Sequence, residues 1–222
     1  MKQIIFVVGH YGSGKSEVAV NLAIHYQIPY LCDLDVINPY FRSRSVNHVL
    51  QQHHVQVISS IEPQAIYLDM PLLSQEIYDL FNQSTKRVIY DVGGSDLGAK
   101  VIRQFDVQNK PCDLWFVINT FREQTDTPDK IINEINKIQN AANMIVTGLV
   151  NNSNLLDDTI LADVDNGQAI INIVAQKLNI PVVLTTISKN TVNHEQFLGN
   201  KLILQMYLHN HTYIQKGVND AK

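Results

Sequence analysis

Short apolar runs alternate with amphipathic stretches along nearly the whole chain. Gln3 to Val8 is a run of the kind that forms a strand buried on both faces of a parallel sheet. Glu17 to Ile24 carries helix formers with apolar residues at helical spacing, which predicts a helix over 15–26. A second strand ends at Tyr30-Leu31-Cys32-Asp33, with Pro29 marking the turn before it. A loop over 35–44 leads to a helix that ends near Gln52, and Val55 to Ser59 reads as a third strand. The connection 60–71 is long, and loops of that length are often functional. A helix from about Leu72 to Phe81, a strand at Val88–Asp91 and a helix near 97–105 come next. They are followed by a strand at Leu114–Ile118 and a helix from Pro128, at its tolerated first turn, to about Asn140. A strand at Ile145–Val150, a helix at Gly167–Leu178 and a strand at Val182–Ile187 complete the alternation. Phe197, Leu198, Leu202, Leu204, Met206 and Leu208 predict a closing helix over 194–208 packed on the sheet, with a polar tail from about 210. The expected fold is α/β, a mostly parallel sheet of about seven strands with helices on both faces, in one domain over 1–222.

Composition narrows this picture without changing it. The 222 residues are 45% hydrophobic and 17% charged, enough for a well-filled core. A net charge of −4 argues against a surface that coats nucleic acid. Cys32 and Cys112 both lie beside predicted strands, where cysteine serves as a small buried hydrophobe in a reduced compartment. No apolar run approaches membrane-spanning length, and the N-terminus passes straight into a core strand, so the expectation is a cytoplasmic protein with no membrane span.

The chemistry begins directly after the first strand. Gly9-His10-Tyr11-Gly12-Ser13-Gly14-Lys15-Ser16 fits Gly-x-x-x-x-Gly-Lys-Ser/Thr, the Walker A phosphate loop of P-loop NTPases, and it stands between a strand and a helix as that motif requires. Glycines let the backbone wrap a phosphate chain with its N–H groups turned inward, and the helix N-terminus adds positive partial charge. Gly9, Gly12, Ser13, Gly14, Lys15, Ser16 and Glu17 therefore form the expected nucleotide-binding set, with Lys15 on the β- and γ-phosphates and the Ser16 hydroxyl on Mg²⁺.

In open parallel sheets ligands bind at the carboxyl ends of strands, and carboxylates stand at those ends here. Asp91 closes Val88-Ile89-Tyr90 in the Walker B pattern and is expected to hold Mg²⁺ directly or through water. Gly93 and Gly94 follow at once, placed to present backbone N–H groups to the γ-phosphate. Asp33 and Asp35, two apart, share a side; one is expected to order metal-bound water and the other to orient the attacking water, with Asp33 the candidate for the metal and Asp35 for the catalytic role. Arg42 and Arg44 follow soon after, where guanidiniums neutralise transition-state charge or pair with surface carboxylates; Arg122 is a weaker candidate of the same kind. His53 and His54 lack any metal-ligand spacing with cysteine.

On these residues the sequence resembles the MinD/ParA/CobQ/CobB-type ATP-binding proteins within the P-loop NTPases. It looks most like a bacterial branch with a Gly-His-Tyr-Gly-Ser-Gly-Lys loop at 9–15, Asp-x-Asp-x-x-Asn-Pro-Tyr-Phe-Arg-x-Arg at 33–44 and Thr-Gly-Leu-Val-Asn-Asn at 147–152. The resemblance implies an ATP- and Mg²⁺-dependent protein, and it puts Asn151 at the base-recognition position with Asn152 as the alternative. An amide offers a purine edge both a donor and an acceptor. Guanine-reading P-loop proteins use Asn-Lys-x-Asp, whereas Asn151-Asn152-Ser153-Asn154 has neither the lysine nor the carboxylate, which favours adenine. One departure stands out: MinD- and ParA-like members carry a lysine directly after the first loop glycine that reaches the partner subunit's nucleotide, and here His10 takes that place. The leading expectation is a slow ATPase acting as a nucleotide-driven switch, with a homodimer or an unidentified protein or small-molecule partner. A small-molecule phosphotransferase and a non-catalytic ATP sensor are the competing readings.

Overall fold

The computed structural model describes residues 1–35, 46–59, 73–83 and 85–208. Their strands form one parallel sheet of eight, in the order β3-β2-β4-β1-β5-β6-β7-β8. In chain order β1 is Ile4–Val8, β2 Tyr30–Asp33, β3 Gln56–Ser59 and β4 Val88–Asp91. Then come β5 at Cys112–Ile118, β6 at Gly148–Asn151, β7 at Val182–Ser188 and β8 at Lys201–Leu204. The helices are α1 (Lys15–His25), α2 (Asn47–Gln52), α3 (Gln75–Asn82), α4 (Asp96–Ala99), α5 (Pro128–Ala142) and α6 (Leu161–Leu178).

The period of two along each strand divides its side chains between two cores. Ile4, Phe6 and Val8 of β1 join one core and Ile5 and Val7 the other. In β5, Leu114, Phe116 and Ile118 face the first core while Trp115 and Val117 face the second. Each such side chain, fully buried, contributes about 1.5–3 kcal/mol. α3, α5 and α6 cover the first core through Ile77, Phe81, Ile131, Ile135, Ile171 and Val174. α1 and α2 cover the second through Val18, Leu22 and Leu50. In the first core Phe6 stacks on Tyr90 at 4.9 Å and Phe105 closes on both Phe81 and Tyr90.

α6 begins at Leu161 instead of the expected Gly167 and β6 at Gly148 instead of Ile145, and two further elements differ in kind from the pattern-based expectation. The helix expected over 194–208 is instead a short 3-10 turn at His194–Gln196 followed by β8, paired parallel to β7 with Thr185 opposite Lys201. Leu202 and Leu204 alternate inward from this strand, so a two-residue period is at work where the leucines alone suggested a helical one. The helix expected near 97–105 divides into α4 and a 3-10 turn at Lys100–Gln104. α5 meets its expected bounds because its ends are chemically marked. Thr127 accepts from the Lys130 N–H, Pro128 opens the first turn and Asn143 closes the helix at φ 52°.

Candidate functional site

β1 lies between β4 and β5 near the middle of the sheet, and the chain crosses from one side of β1 to the other after β4. Strand order reverses at such a point, and the crevice beyond the strand ends is where open α/β sheets bind ligands. Residues 9–14 follow β1 into that crevice. Gly14 takes φ 82° as the residue that caps α1, with no side chain blocking the helix N-terminus. Gly94 lies against the loop so closely that an added Cβ would stand 3.0 Å from the Tyr11 N atom. The turn after β4 is therefore packed directly on the phosphate loop.

Parallel register brings the carboxylates together. Asp33 at the end of β2 is paired with Asp91 at the end of β4, and Asp91 with Val7 of β1. Lys15, only 8% exposed, donates to Asp35 Oδ2 at 3.0 Å, and Asp33 Oδ1 accepts the Asp35 N–H at 3.1 Å. Burial acts to lower the Lys15 pKa, but Asp91, Asp35 and Asp33 outweigh it and hold the ammonium above its ordinary value. Asp91 is fully buried, and neither of its oxygens meets a hydrogen-bond partner of good geometry. Its pKa is pushed up to about 7, first by burial and then by Asp33 and Asp35, while Lys15 and the nearby Ser16 hydroxyl pull it down.

Three buried carboxylates against one ammonium make a donor set of hard oxygens. Mg²⁺ suits it, since that ion takes one or two carboxylates and fills its octahedron with phosphate and water oxygens. The orphaned carboxylate of Asp91 beside the Ser16 hydroxyl is the observation that fits such an ion. No group of three His, Cys, Asp or Glu side chains among the described residues forms a protein-only metal cage.

The cleft above the loop has a volume of about 570 Å³. It is lined by the phosphate loop and the start of α1, by Arg122, Asn152 and Asn154, and by the apolar side chains of Leu156, Leu204, Met206 and Leu208. Glu17 joins the two sets, since its carboxylate accepts from the Tyr207 and Leu208 N–H groups. A second hollow, of about 680 Å³, lies between α6 and β7–β8 and is lined by neutral amides with Asp165 as the lone ionisable residue, so the reactive groups belong to the first.

Several sequence-derived candidates stand where expected, and others do not. Ser13 is buried and its Oγ lies under the loop, 2.7 Å from where a Cβ on Gly9 would be. Asn151 is turned into the core: its amide donates to the Val164 carbonyl and to Gln168, and its oxygen accepts the Ser153 N–H. Asn152 does line the cleft, but its amide is committed, donating to the Ser13 carbonyl at 2.7 Å and accepting from the Thr186 hydroxyl. It bolts the phosphate loop to β7. The Glu17 carboxylate is buried and accepts the backbone N–H groups of Tyr207 and Leu208. Arg122 Nε donates to the Gly12 carbonyl at 2.9 Å, placing its guanidinium on the loop itself. Arg42 and Arg44 lie outside the described residues, as does the 60–71 connection. Sequence reasoning passed over the C-terminal wall of the cleft, because it read that stretch as a helix packed on the sheet.

No protein-family model matches the chain and no curated protein matches it in sequence. Solved structures do match in fold. The signal recognition particle receptor FtsY from Elizabethkingia anophelis superposes with a TM-score of 0.51 at 18% identity over 81% of this chain and 56% of that one. The same receptor in complex with GDP gives 0.50 at 18% identity over 82% and 56%. Chloroplast FtsY from Physcomitrella patens gives 0.54 at 16% identity over 83% and 58%. This chain thus spans a little over half the length of the receptors it matches. In the described residues no helix is long and apolar enough to cross a membrane. With a phosphate loop between β1 and α1 of a parallel, helix-covered sheet, and with these neighbours, the chain has the fold of the P-loop NTPases.

Proposed function

We propose that this chain binds Mg²⁺-ATP, hydrolyses it slowly and acts as a nucleotide-driven switch of the MinD/ParA-like kind. The observation that carries the reading is a cleft lined both by a phosphate loop with its buried lysine and by the apolar side chains of Leu156, Leu204, Met206 and Leu208, with Asp91, Asp35 and Asp33 acting on that lysine from beneath the loop. That pairing of linings suits a nucleoside triphosphate. Ser16 and Asp91, with Asp33 behind them, would hold Mg²⁺. The ion would neutralise charge on the transferring phosphate oxygens.

The chain's own residues do the rest. Lys15 exchanges its bond to Asp35 for the β- and γ-phosphates as nucleotide enters. Asp35 is thereby released to orient a water and accept its proton. Loss of the γ-phosphate is sensed where Gly94 packs on Tyr11, since a shift of either turn moves the other. Adenine is favoured over guanine because the run Asn151–Asn154 offers no carboxylate to accept from two guanine N–H groups. Turnover is slow because the short imidazole of His10 is a poor substitute for a lysine supplied in trans.

Titration calorimetry tests the reading. Mg²⁺-ATP binds the wild type, and Lys15→Ala, which loses a charge-assisted contact worth about 1.5–3 kcal/mol, binds it at least roughly tenfold more weakly. Unchanged affinity in the variant removes the phosphate site, and GTP displacing ATP at equal concentration removes the adenine preference.

A further inference from the structure

After β8 the chain turns back over α1, and two side chains one helical turn apart on that helix hold it there. Asn21 makes both backbone bonds of Gln205, accepting its N–H at 2.9 Å and donating to its carbonyl at 3.0 Å, as a neighbouring strand would. Glu17 accepts the Tyr207 N–H at Oε1 (2.7 Å) and the Leu208 N–H at Oε2 (3.0 Å). Bonds to an ionised acceptor are roughly twice as strong as neutral ones. Both side chains are buried, so this latch is sealed from water.

The latch holds the apolar part of the cleft's lining in place. Leu204, Met206 and Leu208, alternate residues of the held segment, all line the cleft. Leu204 and Leu208 are buried in the second core, whereas Met206 is half-buried and still has apolar surface to give. Among the described residues, the charged side chains that line the cleft are already engaged: Lys15 on Asp35, Arg122 on the Gly12 carbonyl, and Glu17 on the Tyr207 and Leu208 N–H groups behind the wall. The apolar lining therefore suits an uncharged planar ring, and a thioether packs favourably on such a ring.

We infer that the segment Leu204–Leu208, latched to α1 through Glu17 and Asn21, is the wall on which the base of a bound nucleotide packs, with Met206 meeting the ring face. The inference rests on the nucleotide-binding reading above and adds the residues that recognise the nucleoside half. A ring-face contact is indifferent to the base's edge, so the wall serves adenine and guanine alike, and discrimination between them lies elsewhere. Because Glu17 directly follows Ser16, the wall is tied to the element that opens with the phosphate site.

The test compares Mg²⁺-ATP with Mg²⁺-tripolyphosphate, a probe that has the phosphates and lacks the base, by calorimetry on the full chain. Met206→Ala weakens ATP binding about tenfold and leaves tripolyphosphate binding unchanged, in line with the loss of one well-packed apolar contact. Met206→Leu retains most of the ATP affinity. Asn21→Ala, which releases Gln205 without entering the cleft, lowers the ratio of ATP to tripolyphosphate affinity in the same direction. If Met206→Ala leaves that ratio unchanged while the wild type binds both ligands, the wall is overturned and the phosphate site stands. If the wild type binds neither, the nucleotide reading itself falls and the wall with it.

Discussion

Asp91 concentrates the electrostatic tension of the cleft. It is fully buried beside two other carboxylates, and its pKa of about 7 lies well above its ordinary 3.8. The folded chain therefore keeps a proton on this carboxyl that the unfolded chain releases near pH 3.8. The stabilisation from that proton is complete below 3.8 and is lost as pH rises through about 7. The metal-free protein is expected to melt lower at about pH 8 than at about pH 5, by roughly 3 °C or more, and Asp91→Asn should flatten the dependence. A melting temperature that climbs steadily across this range would contradict the assignment. Asp35 makes a separate prediction. Asp35→Asn keeps the size and loses the charge and the proton acceptor, so turnover should fall while ATP affinity is retained; equal loss of both would make the residue structural. These aspartates were legible because a carboxylate closing an apolar run marks the working edge of a parallel sheet. Asn151 and Glu17 were not, because their side chains are claimed by partners distant in sequence, Gln168 and Val164 for one and Tyr207 and Leu208 for the other.

Elements were legible wherever the period and the end signals agreed. β1 is a continuous apolar run, β4 and β5 each hold one broken only by a single aspartate, and α5 carries its own caps. β8 was illegible because its leucines satisfy a helix as readily as a strand; the free edge of β7 decides between them, and an edge exists only in the assembled sheet. In the proposed cycle the turn after β4 would link the nucleotide's state to the rest of the molecule. Gly94→Ala would place a methyl 3.0 Å from the Tyr11 N atom, so one turn must give way. Overpacking of this kind costs about 1–3 kcal/mol. Turnover in Gly94→Ala should fall at least roughly tenfold, since a small misplacement of reacting groups is costly, while the melting curve shows only a modest loss. Wild-type turnover in a folded Gly94→Ala protein would remove the turn from the catalytic cycle.

On the scale of the whole molecule, exposed apolar side chains are scattered, but several of them follow the strand ends that carry the phosphate loop. Tyr11, Leu97, Phe121, Leu155 and Leu156 come after β1, β4, β5 and β6, and Tyr11 and Leu156 line the cleft itself. Apolar side chains so placed suit a partner that docks over the nucleotide, and a second copy is the simplest such partner. Charge points the same way. Phosphoryl transfer through a loose transition state needs positive charge on the transferring and leaving oxygens; in the proposed reading Lys15 and a bound Mg²⁺ would give part of it, and His10 stands where a trans-acting lysine would be. Arg122, already bonded to the loop through Gly12, is placed to add charge in cis. The remainder is expected from Arg42 or Arg44 of a second copy acting as an arginine finger, a device worth about 10³-fold or more in rate. Specific activity should then rise with protein concentration, and Arg42→Ala or Arg44→Ala should cut turnover without weakening ATP binding. Mixing the inactive arginine variant with a Lys15→Ala variant should restore part of the activity, because each then supplies what the other lacks. Concentration-independent turnover would remove the dimer from the mechanism, and full activity in both single arginine variants would leave a different protein as the source of the missing charge.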